Sequence, residues 1–378
     1  MKKSEFLNES GTNLVVNKSL LHENLSFFKS KLKKETLIMA MVKAVAYGHG
    51  SSLIANELQA SNLVNYFGVS NIDKGIELRK NGITLPIMVT NPISENFDAL
   101  IVHKLEPVLH NLELAQAFDA YIKNKGIIPN TFPVHVKFNT GMNRFGIEPN
   151  QVEEFIAMNS TASWHLKSVM SHLACSDMES EDEFTRNQFS SFKAIRRKLN
   201  LALEQAPIYH ILNSNGLIRF PEEQHQMVRI GIGLYGATEF EPARPLLKPI
   251  AYLKTKVAQV RFVKKGESIS YARSGSATES CYIGTLTIGY ADGFPRKLGN
   301  GNWHFELAGK LYPTIGNVCM DYTMINFGTE KPEVELEENV FVFGGQKSIY
   351  DYAAAQGTIC YEAMTNIGTR VHRFFIID

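Results

Sequence analysis

Cysteine is scarce in this chain: 4 in 378 residues, at Cys175, Cys281, Cys319 and Cys360, with no CxxC pair. That spacing excludes a zinc ribbon and a disulfide framework and fits a reducing cytoplasm. No uninterrupted apolar stretch approaches the ~20 residues a bilayer span requires, so a membrane is not expected as a partner. Charge of one sign is also missing. Lys and Arg number 39 against 38 Asp and Glu, a net charge of +1, without like-charged blocks. Nucleic acid and anionic surfaces are therefore poor candidates for partners. The opening Met1-Lys2-Lys3-Ser4-Glu5 has basic residues but no apolar core behind them, and no secretory signal is expected. The chain also has no short-period repeat and no low-complexity segment.

The remaining composition is that of an ordinary globular protein, 44% apolar and 20% charged, long enough for two domains. Its first two thirds alternate between β-prone runs and helical patterns. The runs are 37–43, 66–70, 85–90, 106–110, 133–138, 166–172, 208–212 and 227–230, with helical periodicity over 73–81, 112–125 and 181–203. Eight such strands with helices between them predict parallel βα units closing into a (β/α)8 TIM-like barrel. A doubly wound open sheet is the alternative, weakened because no GxGxxG follows the first strand.

The pattern changes near Pro242–Pro249. Alternating runs follow at 251–263, 268–272, 282–288, 303–307, 322–327 and 339–343, separated by turn residues such as Lys265-Gly266 and Gly344-Gly345. They predict a mainly antiparallel β domain with a short helical insert around 350–357. The expected division is a barrel over 1–244 and a C-terminal β domain over 245–378.

In a barrel of this kind function gathers at the C-terminal strand ends. Lys43 closes the first predicted strand, in Met41-Val42-Lys43-Ala44-Val45-Ala46-Tyr47-Gly48-His49-Gly50. A lysine there reads either as a side chain snorkelling to water or as a desolvated Schiff-base amine. Lys137, Asn139 and Arg144 fall at or beyond the fifth strand, His172 at the end of the sixth, Asn213 and Ser214 at the seventh, and Arg229 within the eighth. Ser214 and Gly231-Ile232-Gly233 occupy the usual phosphate position of the fold, where free backbone N–H groups meet an anion. Each residue alone has an ordinary structural explanation. Together, a lysine amine, a phosphate cradle and a strand-borne arginine point to pyridoxal 5'-phosphate.

Read as ordered motifs, the chain resembles the alanine racemases, fold-type III pyridoxal phosphate enzymes, over almost its whole length. The motifs are Val42–Gly50, Thr140-Gly141-Met142-Asn143-Arg144-Phe145-Gly146, Val228–Gly236, Gly266–Tyr271, Ile288–Gly293, Asn317–Asp321, Ile359–Glu362 and Ile367–Val371. The resemblance implies that Lys43 holds the cofactor and acts as base on one face of the substrate Cα. Tyr271 would act on the opposite face, supplied by the partner in a head-to-tail homodimer. It implies that His172 contacts Tyr271, that Arg229 faces the pyridine nitrogen, and that Tyr47, Asn213, Ser214, Gly231, Ile232 and Tyr361 help hold the cofactor. Arg144, Met320, Tyr290 and Asp321 would surround the substrate, Tyr290 and Tyr361 narrowing the entrance, and Lys137 matches a lysine that is often carbamylated. The first dozen or so residues would pack with the β domain. The implied activity is racemisation of alanine, supplying D-alanine for peptidoglycan.

Three positions depart from the family pattern. Val45 replaces a usual asparagine, Leu173 a common aromatic residue, and the stretch Ala272–Ser276 differs after the tyrosine. A racemase of broader or serine specificity, a related decarboxylase and a non-catalytic cofactor carrier are the alternatives. Arg229 weighs against the decarboxylase, which benefits from a protonated pyridine, and the second domain weighs against the carrier.

Overall fold

The structure, a computed structural model, describes residues 11–336 and 338–376. Residues 1–10, most of the dozen expected to join the β domain, lie outside the described residues. The described chain divides into two compact units, His22–Ala46 with Ser51–Lys248, and Gly11–Leu21 with Tyr47–Gly50 and the described residues from Pro249 to Ile376.

The first described strand, β1 (Asn13–Asn17), belongs to the second unit. The first unit holds β2 (Leu37–Met41), β3 (Tyr66–Val69), β4 (Ile87–Val89), β5 (Glu106–Leu109), β6 (Phe132–Lys137), β7 (Trp164–Met170), β8 (Ile208–His210) and β9 (Met227–Ile230). Their order is β8-β7-β6-β5-β4-β3-β2-β9, and every ladder is parallel. Strands that follow one another in space as in sequence, with the last beside the first, form a barrel rather than the reversing order of a doubly wound sheet. No ladder joins β8 to β9; there, just past β8, the Arg229 N–H donates to Leu212 O at 3.0 Å.

The strands are buried on both faces, which is why they read as apolar runs. Helices provide the outer cover. In the helix Asp182–Ala202, buried Thr185, Gln188, Phe189, Phe192, Ile195 and Leu199 recur at three- and four-residue spacing and make one stripe. Burying each of its phenylalanines contributes roughly 2 kcal/mol.

The second unit is built on β10 (Ala251–Val263), long enough to pair with three neighbours: β1, β13 (Cys281–Leu286) and β17 (Asn339–Phe343). Before β13 come the two short strands β11 (Ser268–Ile269) and β12 (Gly275–Ser276), which pair with each other. β14 (His304–Leu307), β15 (Lys310–Pro313), β16 (Thr323–Gly328) and β18 (His372–Ile376) complete the sheet. Every pairing is antiparallel except β1 with β18. The expected mainly antiparallel domain is present, and its helical insert runs Ile349–Ala355.

Local patterning misses four strands, among them the two-residue β12. β1 and β18 are short and become strands by pairing with distant segments, and β15 is an exposed edge ending at Pro313, without inward alternation to reveal it. The run expected as strand over 268–272 stops at Ile269; Tyr271–Arg273 forms a turn instead. No described helix is long and apolar enough to cross a membrane.

Candidate functional site

In the first unit, β2 ends at Met41 and the chain enters a left-handed turn. Ala44, Val45, Ala46 and Tyr47 have φ of 50°, 57°, 51° and 52°. L-residues pay roughly 1–2 kcal/mol each for this conformation, and a β-branched valine is the least suited of the four. Hydrogen bonds hold the turn's entry: Val42 N–H to Gly68 O at 3.0 Å, Ala46 N–H to Val42 O at 3.0 Å, and the Tyr235 hydroxyl to Met41 O at 2.9 Å. The turn brings Lys43 to the wall of a cavity of about 290 Å³ at the C-terminal strand ends, lined also by Asn71, Lys137, Arg144, His172 and Arg229. Its lining, among the described residues, includes no Asp or Glu.

That charge balance governs the amines. Burial, then Arg144 and Arg229, lower the Lys43 pKa below the ordinary lysine value. The same causes pull Lys137 down to about 8. Each of these effects favours the neutral, nucleophilic form of an amine.

Arg144 stands on the loop after β6, and Asn139 organises that loop. The Asn139 Oδ1 accepts from Gly141 N–H and Asn143 N–H, both at 3.1 Å, and its Nδ2 donates to Asn143 Oδ1 at 2.8 Å and Glu148 Oε1 at 2.9 Å. Gly146 closes the loop at φ 137°, where an added Cβ would lie 2.3 Å from Asn139 N; no other residue type fits.

Arg229 is buried at the β8–β9 seam and donates five hydrogen bonds. Its Nη1 reaches His210 Nδ1 at 2.8 Å and His210 O at 3.2 Å; its Nη2 reaches Ser171 O at 2.6 Å, His172 Nδ1 at 3.0 Å and Ile211 O at 3.1 Å. The guanidinium therefore satisfies the Ser171 and Ile211 carbonyls at the strand ends and adds a second donor to His210 O, which also accepts from Ser171 N–H at 3.2 Å. Burial, followed by Arg229, holds both His172 and His210 far below the ordinary imidazole range, so both are neutral. An imidazole that accepts on Nδ1 carries its hydrogen on Nε2, which leaves the His172 Nε2 a donor.

At the expected phosphate position the Ser214 Oγ accepts from Gly231 N–H at 3.0 Å and Gly233 N–H at 3.3 Å. Asn213 caps the helix Ser214–Arg219, accepting from Gly216 N–H at 2.8 Å, and Ile232 opens a buried helical turn. Two backbone N–H groups thus converge on one oxygen, a geometry suited to an anion.

The second unit carries the other candidates. Tyr47 and Tyr361 lie with ring centroids 6.1 Å apart, and burial raises the Tyr47 pKa. Tyr271 is 72% exposed. Its loop is tightly fixed: Ser270 at φ 70° donates from Oγ to Asn317 O at 2.6 Å, and Asn317 Nδ2 donates to Tyr271 O at 3.1 Å. Tyr290 and Met320 adjoin, through Tyr290 N–H to Cys319 O and Ala291 N–H to Met320 O, both at 3.0 Å. Asp321 is engaged by Arg370 Nη1 at 2.8 Å, and the same arginine reaches Asp292 at 2.7 and 3.0 Å.

His210, which orients Arg229, was not singled out from sequence, nor were the buried polar residues behind it. The available signal is a polar residue that interrupts an apolar run, as in Pro133-Val134-His135-Val136-Lys137.

Comparisons with known proteins place the chain beside one family. Residues 16–239 match the family model "Alanine racemase, N-terminal domain" and residues 250–375 match "Alanine racemase, C-terminal domain". An alanine racemase of Treponema denticola is 32% identical, covering 97% of this chain and 98% of that protein. One of Thermodesulfovibrio yellowstonii is 35% identical, covering 96% of each. Among solved structures, an alanine racemase of Clostridium difficile superposes with a TM-score of 0.92 at 32% identity, over 99% of this chain and 97% of that one. The Bacillus anthracis enzyme with bound L-Ala-P has a TM-score of 0.88 at 30% identity, over 99% and 96%.

Proposed function

The chain belongs to the alanine racemase family, and we propose that it interconverts L- and D-alanine with pyridoxal 5'-phosphate through two bases on opposite faces of the substrate Cα. The observation that carries this reading is the cavity at the strand ends, where Lys43, Lys137, Arg144 and Arg229 gather with no carboxylate in the described lining. This donor set fits a phosphate-bearing aldehyde: an amine for the carbonyl, N–H groups at Gly231 and Gly233 for the phosphate, and cations for the remaining charge. Tyr47, Tyr361, Asn213, Ser214 and Ile232 complete the proposed set that holds it.

When bound, the cofactor supplies an aldehyde for amine attachment and a ring that delocalises charge left at Cα. The residues of the chain do the rest. Lys43 Nζ, its pKa lowered, takes or returns the proton on one face. Tyr271 of the partner subunit does so on the other, with His172 Nε2 donating toward it. Two bases on opposite faces invert the centre without turning the substrate over. Arg229 is a donor only, so it leaves the ring nitrogen unprotonated; this weakens delocalisation and restrains side reactions such as transamination.

Arg144 orients the substrate carboxylate, helped by the Met320 N–H, while Tyr290 and Tyr361 narrow the entrance. Asp321 acts through Arg370. Carbamylation of Lys137 would replace a cation beside Arg144 by an anion and remove the repulsion. The active unit is a head-to-tail homodimer, the enzyme is cytoplasmic, and its product supplies peptidoglycan.

The test follows L-alanine with the cofactor-loaded protein in heavy water, reading optical activity and Cα deuteration together. Both should change in the parent and in neither Lys43→Ala nor Tyr271→Phe at the parent's rate. Retention of optical activity and protium by a cofactor-loaded dimer would refute the proposal.

A further inference from the structure

A line of buried polar side chains crosses the barrel interior behind Arg229, one residue from each of five consecutive strands. Glu106 stands on β5, His135 on β6, Ser168 on β7, His210 on β8 and Arg229 on β9. Barrel interiors are usually filled by branched apolar residues. Here His135, Ser168 and His210 have no exposed surface and Glu106 has 9%.

The contacts are continuous. Arg229 Nη1 lies 2.8 Å from His210 Nδ1, His210 Nε2 lies 2.9 Å from Ser168 Oγ, Ser168 Oγ lies 2.5 Å from His135 Nδ1, and His135 Nε2 lies 2.8 Å from Glu106 Oε2.

The direction of every bond follows from one end. Arginine cannot accept, so His210 Nδ1 is bare and its hydrogen sits on Nε2. That hydrogen is donated to Ser168 Oγ, whose single hydrogen then goes to His135 Nδ1. His135 in turn holds its hydrogen on Nε2 and donates it to Glu106. A carboxylate only accepts, so the chain ends there without conflict. Glu106 reaches into the barrel electrostatically as well: burial and then its charge raise the Tyr66 phenol above its ordinary range, and the Tyr66 ring sits edge-on to His135 with centroids 6.0 Å apart.

We propose that Glu106, His135 and Ser168 are positioning residues for Arg229: the relay holds the His210 ring with its bare Nδ1 turned to the guanidinium, which keeps the guanidinium at the place assigned to the cofactor's ring nitrogen. The inference rests on that reading of Arg229. Removing a link leaves a buried donor or acceptor unpaired and frees His210 to change tautomer or turn.

The test uses the full-length, cofactor-loaded protein with 15N-labelled histidine and reads each ring's tautomer by NMR, beside kcat and KM for L-alanine. In the parent, His210 and His135 should each show one bare Nδ1 and one protonated Nε2. Ser168→Ala should lose the single His210 tautomer and lower kcat about ten-fold, the low end of what outer-shell partners are worth, with KM little changed. Ser168→Thr, which keeps the hydroxyl, should restore the tautomer. Glu106→Gln keeps an acceptor and should retain both tautomers and most of kcat; Glu106→Leu should retain neither.

An unchanged His210 tautomer in Ser168→Ala and Glu106→Leu would overturn the relay. Should those two fail to fold, loss of the His210 tautomer in Glu106→Gln would overturn the acceptor role by itself. A parent that takes up no pyridoxal phosphate defeats the proposed function instead, while the tautomers stay measurable. A loaded, racemising parent whose tautomers ignore the cuts defeats only the relay.

Discussion

Lys137→Met should stabilise the cofactor-free protein at neutral pH. Lys137 is 7% exposed, lies among Arg144 and Arg229, and pairs with no carboxylate among the described residues. Its pKa falls from an ordinary 10.5 to about 8, through burial first and the two arginines next. The sign follows by linkage. Below about 8 the amine is protonated in both folded and unfolded chains, and the folded state bears the full penalty. Between about 8 and 10.5 the unfolded chain holds the proton and the folded one releases it, so stability rises with pH across that window.

At 1.36 kcal/mol per pKa unit the penalty is about 3 kcal/mol, and local relaxation in a medium of effective dielectric near 20 reduces it to roughly 1–2 kcal/mol. Methionine has similar length and no charge, so the variant should melt about 2–8 °C higher at pH 7, and the advantage should shrink steadily as the pH approaches 10.5. Thermal unfolding of both proteins at several pH values measures it. A variant that melts lower at pH 7, or whose advantage does not change with pH, would refute the claim that Lys137 is held charged against its surroundings.

Val45→Asn should raise the melting temperature by the equivalent of about 1 kcal/mol, because asparagine adopts a φ of 57° with less strain than valine and Val45 is only half-buried; a lower melting temperature would count against strain in the turn. Arg229→Leu should destabilise the barrel by more than about 3 kcal/mol, since two carbonyls, Ser171 O and Ile211 O, and two imidazole nitrogens lose their donor. Chemical denaturation measures that loss, and a near-neutral result would mean water replaces the guanidinium at the seam. Gly316→Ala should lower kcat and melting temperature together, because φ is 70° and the new Cβ would meet Ser270 at 2.6 Å, displacing the Tyr271 loop; steady-state kinetics with unchanged kcat would show that the loop tolerates displacement.

Much was legible in the sequence because the determining patterns are local. Apolar runs alternating with helices point to parallel βα units, since strands covered on both faces are mostly apolar, and the count of eight points to a barrel. The order of motifs, from the turn after Lys43 to Arg370, identified the family, and the comparisons agree. Charge at the strand ends marked Lys43, Lys137, Arg144, His172 and Arg229, because a cation closing an apolar run needs a reason to be there. What the sequence could not reveal depends on neighbours distant along the chain. β1 and β18 are strands by virtue of each other and of β10. The left-handed turn at Ala44–Tyr47 has no glycine to announce it. His210 and Glu106 look like incidental polar residues until five strands lie side by side. Only then does a donor that cannot accept, at one end, face an acceptor that cannot donate at the other, with every hydrogen between them fixed.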